Sequence, residues 1–312
     1  MLPSVGAQVC GRGAQRLAKP ARHGQLDAQM MRWIFRTIRW LRVPLAIGGL
    51  AMAALMAKAW SDTMGDPVVR HASIALRGMA PGTRPITAAL ISDIHVSGPD
   101  MPPSRLTRIV AQVNALKPDI VLIAGDLVSE KLFSTHTYGA EEIVAPLAAL
   151  DAPLGVVVVP GERDHWFGWP ALEAELRARG IRVLQNEAAQ IGPLVIGGVG
   201  DASTRRDDLP PVLDQMRGMQ GGRLILTHSP DVFAQVPGEV SLVLAGHTHC
   251  GQVAYPWGGS YAKMSRYGDR FACGLHREGS RTVITGAGLG TSLAPVRLFT
   301  QAEIWLVELR GG

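Results

Sequence analysis

The chain has 312 residues, 47% hydrophobic and 18% charged, which excludes a disordered protein and leaves room for one large domain or two small ones. Its net charge of +5 is unevenly placed: residues 1–42 hold eight Arg and Lys against Asp27 alone, and the remainder is slightly acidic. That remainder lacks the basic excess of a nucleic-acid binder, so no nucleic acid is expected as a partner; three Cys (Cys10, Cys250, Cys273) are too few for a disulfide scaffold and match no zinc-knuckle spacing.

Residues 1–29 are rich in Gly, Ala, Gln and Arg without an apolar period, and read as disordered. From Met31 the pattern sharpens, with Arg32, Arg36, Arg39 and Arg42 among Trp33, Ile34, Ile38, Trp40 and Leu41. Val43–Ala57 then runs without a charge. As a helix that run spans about 22 Å, short of a hydrocarbon core of roughly 30 Å. Extension over Lys58, whose ammonium can snorkel, to Trp60 brings it to about 27 Å. Residues 43–60 therefore read as a transmembrane or signal-anchor helix. The rival is a signal peptide with an A-x-A site at Ala57-Lys58-Ala59. A buried core helix fits the four preceding Arg poorly. Both leading readings keep the basic arm, residues 1–42, in the cytoplasm and place the rest on the non-cytoplasmic (periplasmic or extracellular) side. The alternative location is the cytoplasmic membrane surface. Cys250 and Cys273 are compatible with either compartment.

Residues 61–85 read as a linker with a first strand at Ala72–Leu76, and residues 86–312 as the main domain. There, Thr87–Ile91, Ile120–Ala124 and Leu154–Val159 are apolar strands, and Ser104–Leu116, Glu141–Leu150 and Trp169–Arg179 have helical periodicity. Ile181–Leu184 and Leu194–Ile196 are short strands. Later, Leu209–Met216 reads as a helix, and Leu224–Leu226, Leu242–Leu244, Thr282–Thr285 and Ile304–Leu309 as strands. Unpatterned strands alternating with helices predict an α/β domain whose sheet is covered on both faces. The strand-rich second half predicts another sheet packed on the first.

The polar residues least suited to a core follow these strands directly. Asp93 and His95 follow TAALIS, Gly125-Asp126 follows IVLIA, and Gly161-Glu162-Arg163-Asp164-His165 follows LGVVVVP. His228 follows LILT, and Gly246-His247-Thr248-His249 follows LVLA. Strand carboxyl ends are where open α/β sheets bind ligands. Asp and His without thiolate suit Mn, Fe or Zn. Asp-x-His and His-x-His each put two side chains on one side of an extended segment. Each glycine before Asp126, Glu162 and His247 would permit a sharp turn and a close approach.

Together, Ser92-Asp93-Ile94-His95, Gly125-Asp126-Leu127, Pro160-Gly161-Glu162-Arg163-Asp164, Thr227-His228 and Gly246-His247-Thr248-His249 resemble the calcineurin-like metallophosphoesterases. The run on to Cys250-Gly251-Gln252 and the later Gly288-Leu289-Gly290-Thr291-Ser292 resemble a membrane-associated bacterial branch. The resemblance implies a four-layer α-β-β-α sandwich with two divalent metal ions (Mn, Fe or Zn). Asp93, His95 and His249 would hold one, His228 and His247 the other, with Asp126 bridging and Glu162 completing the second site. It implies phosphoester hydrolysis by a metal-bridging hydroxide; the departure described below makes phosphodiester or pyrophosphate bonds, with their good leaving groups, the expected targets. The substrate would be a phosphoester, including lipid-linked ones given the membrane helix.

The chain departs from the family at its fourth motif, usually Gly-Asn-His-Asp or Gly-Asn-His-Glu. Glu162 replaces an Asn that coordinates metal, and adds negative charge. Arg163 replaces a His that protonates the leaving group; its guanidinium does not donate a proton usefully near neutral pH, but it can clamp phosphate. His165 is a second candidate for the acid, and Asp164 for orienting a neighbouring ligand. A degenerate protein that binds metal with little turnover is the alternative. The aromatic segment Tyr255–Phe271 reads either as an overhang that recognises an apolar leaving group or as a packed surface loop.

Overall fold

A computed structural model of the chain describes residues 23–129 and 131–312. The chain divides into two compact units after Ala54. Helix α1 (His23–Met64) crosses this division. It takes in residues 23–29, which the composition alone predicts to be disordered; residues 1–22 lie outside the described residues. Among the described helices it alone is long and apolar enough to cross a membrane, and its apolar window is unburied.

In chain order the second unit then holds β1 (Val68–Leu76), β2 (Ile86–Ile91), α2 (Pro103–Ala115), β3 (Ile120–Ala124), α3 (Ala140–Val144) and β4 (Val156–Val159). Next come α4 (Glu162–Phe167), α5 (Trp169–Ala178), β5 (Arg182–Val183), β6 (Glu187–Ile191), β7 (Leu194–Val199) and α6 (Leu209–Arg217). It closes with β8 (Gly222–Thr227), β9 (Leu242–Ala245), β10 (Gly274–Glu278), β11 (Arg281–Thr285) and β12 (Glu303–Gly311).

The strands form two six-stranded sheets, ordered β1-β12-β2-β3-β4-β5 and β10-β11-β9-β8-β7-β6. In the first, β2 to β5 run parallel, and β12 pairs antiparallel with β2. In the second, β11, β9, β8 and β7 run parallel between antiparallel edges β10 and β6. Alternation along each central strand divides the core. Ile120, Leu122 and Ala124 of β3 pack between the sheets with Leu224, Leu226, Leu242 and Leu244. Val121 and Ile123 face outward against Leu106, Ile109 and Val113 of α2 and Leu172 of α5. On the other outer face, Val195, Ile225 and Val243 meet Val212 and Met216 of α6. Both faces of each sheet are thus covered, which is why the strands read as unbroken apolar runs. This is the four-layer α-β-β-α arrangement the motifs imply.

Three local readings change. The helix expected over Glu141–Leu150 is α-helical only to Val144 and continues as a 3-10 turn over Ala145–Ala149, because Pro146 has no N–H for the next α-helical bond. Residues 162–167, which the sequence reading assigns to no element, form α4. Edge strands β6 and β10, with burial patterns of mostly exposed and half-buried residues, give no apolar signal.

Within the second unit, the last turn of α1 is bonded to residues 297–299. The Phe299 N–H donates to Asp62 Oδ2 (2.9 Å) and the Arg297 N–H to Thr63 Oγ1 (2.7 Å). Buried Arg105 donates to the carbonyls of Gly65 (2.8 Å) and Asp100 (2.6 Å).

Candidate metal centre

Loops leaving the carboxyl ends of β2, β3, β4, β8 and β9 bring all seven predicted ligands together, each less than a tenth exposed. The donor atoms form three overlapping groups: Asp93, His95 and His249; Glu162, His228 and His247; and Asp93, Asp126 and His228. Within each group they lie within 4.8 Å of one another. Asp126 joins the groups, its Oδ2 lying 3.6 Å from both His95 Nε2 and His228 Nε2. On one side His95 Nε2 is 3.0 Å from His249 Nε2, which is 3.4 Å from Asp93 Oδ1. On the other, Glu162 Oε2 is 2.8 Å from His228 Nε2 and 3.1 Å from His247 Nδ1.

The backbone here is not the extended chain that Asp-x-His and His-x-His predict. Asp93 (φ 47°), His95 (φ 51°), Asp126 (φ 54°), His247 (φ 70°) and His249 (φ 51°) are all left-handed. Non-glycine residues adopt this region rarely, and Asp and His are among the more tolerant. Asp93 and His95 still share a side because Ile94 between them is buried in the core beneath the helices. The glycines divide in role. Gly125 supplies a positive φ of 77°, whereas Gly161 is extended, and a Cβ there would strike the Asp126 carboxylate. Gly161 is a demand of space rather than of torsion.

Outer partners fix the ligand rings. His95 Nδ1 lies 3.0 Å from the Val128 carbonyl, and His228 Nδ1 2.7 Å from that of Ala124. Both contacts aim Nε2 into the centre, the arrangement that metal-binding imidazoles use. Burial raises the Asp126 carboxyl well above its ordinary pKa, against the pull of His228. Burial pushes His95 and His249 well below the usual imidazole range, reinforced by Lys131 at the first and by His95 at the second. At Glu162 burial is outweighed by His228 and His247, which lower its pKa. Burial disfavours imidazolium at His228 too, but Asp126 and Glu162 outweigh it and raise its pKa. Crowded carboxylates and imidazoles, buried and aimed at one another, are a donor set that divalent cations satisfy.

Asp164 organises this framework. Fully buried, it accepts N–H bonds from Gly161 (2.9 Å), Asp126 (3.0 Å), Leu127 (2.8 Å) and Val128 (3.3 Å). Burial pushes its carboxyl up, to about 6, against the pull of the Gly161 N–H. Arg163 donates its backbone N–H to Asp126 Oδ1 (2.9 Å), while its guanidinium stacks on Trp166, 4.7 Å from the ring centre. His165 lies beside Trp169 (ring centres 5.9 Å apart), and the structure does not bring it to the cluster.

Three features were not predicted from the sequence. Cys250 and Cys273 form a disulfide, closing a 23-residue separation next to His249 of the cluster. Arg297 is fully buried; its guanidinium donates to the carbonyls of Ala287 (2.7 Å), Gly288 (3.1 Å) and Gly290 (2.5 Å). That holds the segment whose Leu289 and Gly290 N–H groups bond the Ser92 and Asp93 carbonyls. Gln252 holds the neighbouring loop, its Oε1 accepting from the Ser292 N–H (2.7 Å) and its Nε2 donating to the Ala294 carbonyl (2.9 Å). A cleft of about 290 Å³ opens beside the cluster. Glu162, His247 and His249 line one side; Val253, Tyr261, Met264 and Leu293 make the other apolar.

A model of the calcineurin-like phosphoesterases matches residues 86–251, more than half the chain. The chain belongs to the calcineurin-like phosphoesterase family. The matched stretch contains all seven clustered residues. Among relatives, the chain is 30% identical over 272 residues to a Caenorhabditis elegans protein named as a metallophosphoesterase, covering 79% of this chain and 53% of that one. It is 29% identical over 287 residues to a Danio rerio transmembrane protein with metallophosphoesterase domain (85% and 60%). A metallophosphoesterase of Aquifex aeolicus is 29% identical over 226 residues (70% and 83%). The chain thus spans little more than half the length of the first two relatives.

Proposed function

We propose that this calcineurin-like domain is a hydrolase of phosphodiester or pyrophosphate bonds that works with two divalent cations (Mn, Fe or Zn). The observation that carries this is the position of Asp126 Oδ2, 3.6 Å from one imidazole of each group, where a single carboxylate would be within reach of a cation held by either. Asp93, His95 and His249 would hold one cation, and His228, His247 and Glu162 the other. Bound there, the pair supplies Lewis acidity and makes water acidic enough to attack phosphorus near neutral pH. The protein's own residues do the rest. Asp164 holds the Asp126 and Glu162 loops in register. Arg163 stands at the mouth of α4, where its guanidinium can swing from Trp166 to a phosphoryl oxygen and stabilise charge. His165 faces Trp169 rather than the cluster, so Arg163 carries the weight of the substitution. With no imidazole positioned as an acid, good leaving groups suffer least; loss of general-acid catalysis costs roughly 10²–10⁴-fold.

The apolar side of the cleft supports a substrate with an apolar or lipid-linked portion. Helix α1 supports a membrane anchor. The Cys250–Cys273 disulfide supports a catalytic domain on the non-cytoplasmic side, since such bonds persist in oxidising compartments.

Glu162, in contact with both His228 and His247, favours the second reading, a metal-binding protein of low turnover, because its charge repels an anionic substrate. The deciding experiment is hydrolysis of bis(4-nitrophenyl) phosphate with added Mn²⁺, by the native protein and by the double variant Glu162→Asn, Arg163→His. Native activity abolished by Asp126→Asn supports the hydrolase. Activity in the double variant alone establishes the second reading.

A further inference from the structure

Among the described residues of 65–312, thirteen large hydrophobic side chains are exposed, and ten of them fall in three segments: 132–133, 253–264 and 293–299. The segments touch one another. Leu132 N–H donates to the Leu293 carbonyl (3.3 Å), Leu298 N–H to that of Gln252 (3.1 Å), and Ala254 N–H to that of Leu298 (2.9 Å). Leu132 is 79% exposed, Trp257 81% and Tyr261 88%. Tyr255 stacks on Trp257, ring centres 5.3 Å apart. Two of the segments wall the cleft beside the metal ligands, through Val253, Tyr261, Met264 and Leu293. A soluble surface seldom gathers so much contiguous apolar area without something to cover it.

What covers it is indicated by where the chain arrives. The third segment is bonded to the last turn of α1, through Asp62 to Phe299 and through Thr63 to Arg297. Lys58, one turn earlier, pairs with Asp62 (2.5 Å) and lies 5.7 Å from the Phe299 ring. Trp60 between them is exposed. In sequence, the residues just before this point are the uncharged run 43–57. A Lys and a Trp at the end of an apolar helix mark the level of lipid headgroups, and Tyr and Trp are enriched at that level. The exposed face is therefore continuous with the place where the chain would leave the bilayer.

We infer that this face lies against the lipid surface, so that the cleft beside the metal ligands opens toward the bilayer and takes amphipathic phosphoesters from it without their full transfer to water. The inference rests on the anchor and phosphoesterase readings above and adds an orientation to them. Leu132, Phe133, Val296 and Phe299 act as the contact surface, while the aromatic stack at Tyr255 and Trp257 sits at headgroup depth. Of the three exposed hydrophobics that lie elsewhere, Trp166 and Leu275 serve as internal controls.

The test uses the full chain in phosphatidylcholine vesicles that contain an apolar carbene precursor dissolved in the lipid. After photolysis, peptides covering 132–133, 253–264 and 293–299 should carry at least fivefold more label than those holding Trp166 and Leu275. Equal labelling overturns the inference. So does labelling that emerges only when the protein is diluted in lipid, which means that a second copy covers the face. The variant Leu132→Glu, Phe133→Glu should keep turnover of soluble bis(4-nitrophenyl) phosphate within twofold, yet lose at least tenfold on a phosphodiester lipid in the same vesicles. Equal loss on both substrates overturns the inference. If the wild-type protein hydrolyses neither, the phosphoesterase reading fails, and the labelling alone still decides the orientation.

Discussion

Asp164 shows how one buried carboxylate can set several loops. Its four N–H partners belong to both the β3 and β4 exits, so it fixes Asp126 and Glu162 relative to each other. Asp164→Ala strands those donors, at on the order of 3–5 kcal/mol. Chemical denaturation should show that loss, with Asp164→Asn intermediate because its amide oxygen still accepts. Glu162 gives a second prediction at this scale. Replacing it with Gln removes one negative charge from the second ligand group, so calorimetric titration with Mn²⁺ should show one site weakened and the other little changed. Asp126→Asn should weaken both, because its carboxylate faces both groups. That these residues gather at one place was legible in the sequence because five apolar strands are each followed closely by Asp, Glu or His. The backbone of the site was not. Left-handed torsions at five of the clustered residues leave no mark on residue type, and nothing in PVRLF marks Arg297 as a buried cation with three carbonyl partners.

At the level of elements, the central strands were legible because burial on both faces writes an unbroken apolar run. Two of the four edges were not: β6 (EAAQI) and β10 (GLHRE) meet a neighbour on one side only, and their sequences carry no periodic signature, whereas edges β1 and β5 were read as strands. The Cys pair escaped notice for a related reason, since nothing in the spacing of two cysteines says that a loop returns. Its effect on the fold is calculable. Constraining a loop of this length in the unfolded chain contributes about 3 kcal/mol. Cys250→Ser with Cys273→Ser should lower the thermal midpoint accordingly, and reduction should make the Tyr255–Phe271 segment the first site of proteolysis. Metal content should fall as well, because Cys250 follows His249 directly.

For the molecule as a whole, metal and stability should be coupled. A cation that binds only the folded state at about 100 times its dissociation constant adds roughly 2.7 kcal/mol. For a domain of this size that is about 5–10 °C in thermal midpoint. Mn²⁺ should produce such a rise. The rise should shrink between pH 8 and pH 6, since imidazole and carboxylate ligands must shed protons to bind. EDTA should reverse it. The order of the first sheet has a different consequence. β12 lies between β1 and β2, so the sheet stays split until a strand from the far end of the domain arrives. The nascent chain cannot close that layer before residues 303–311 have been made.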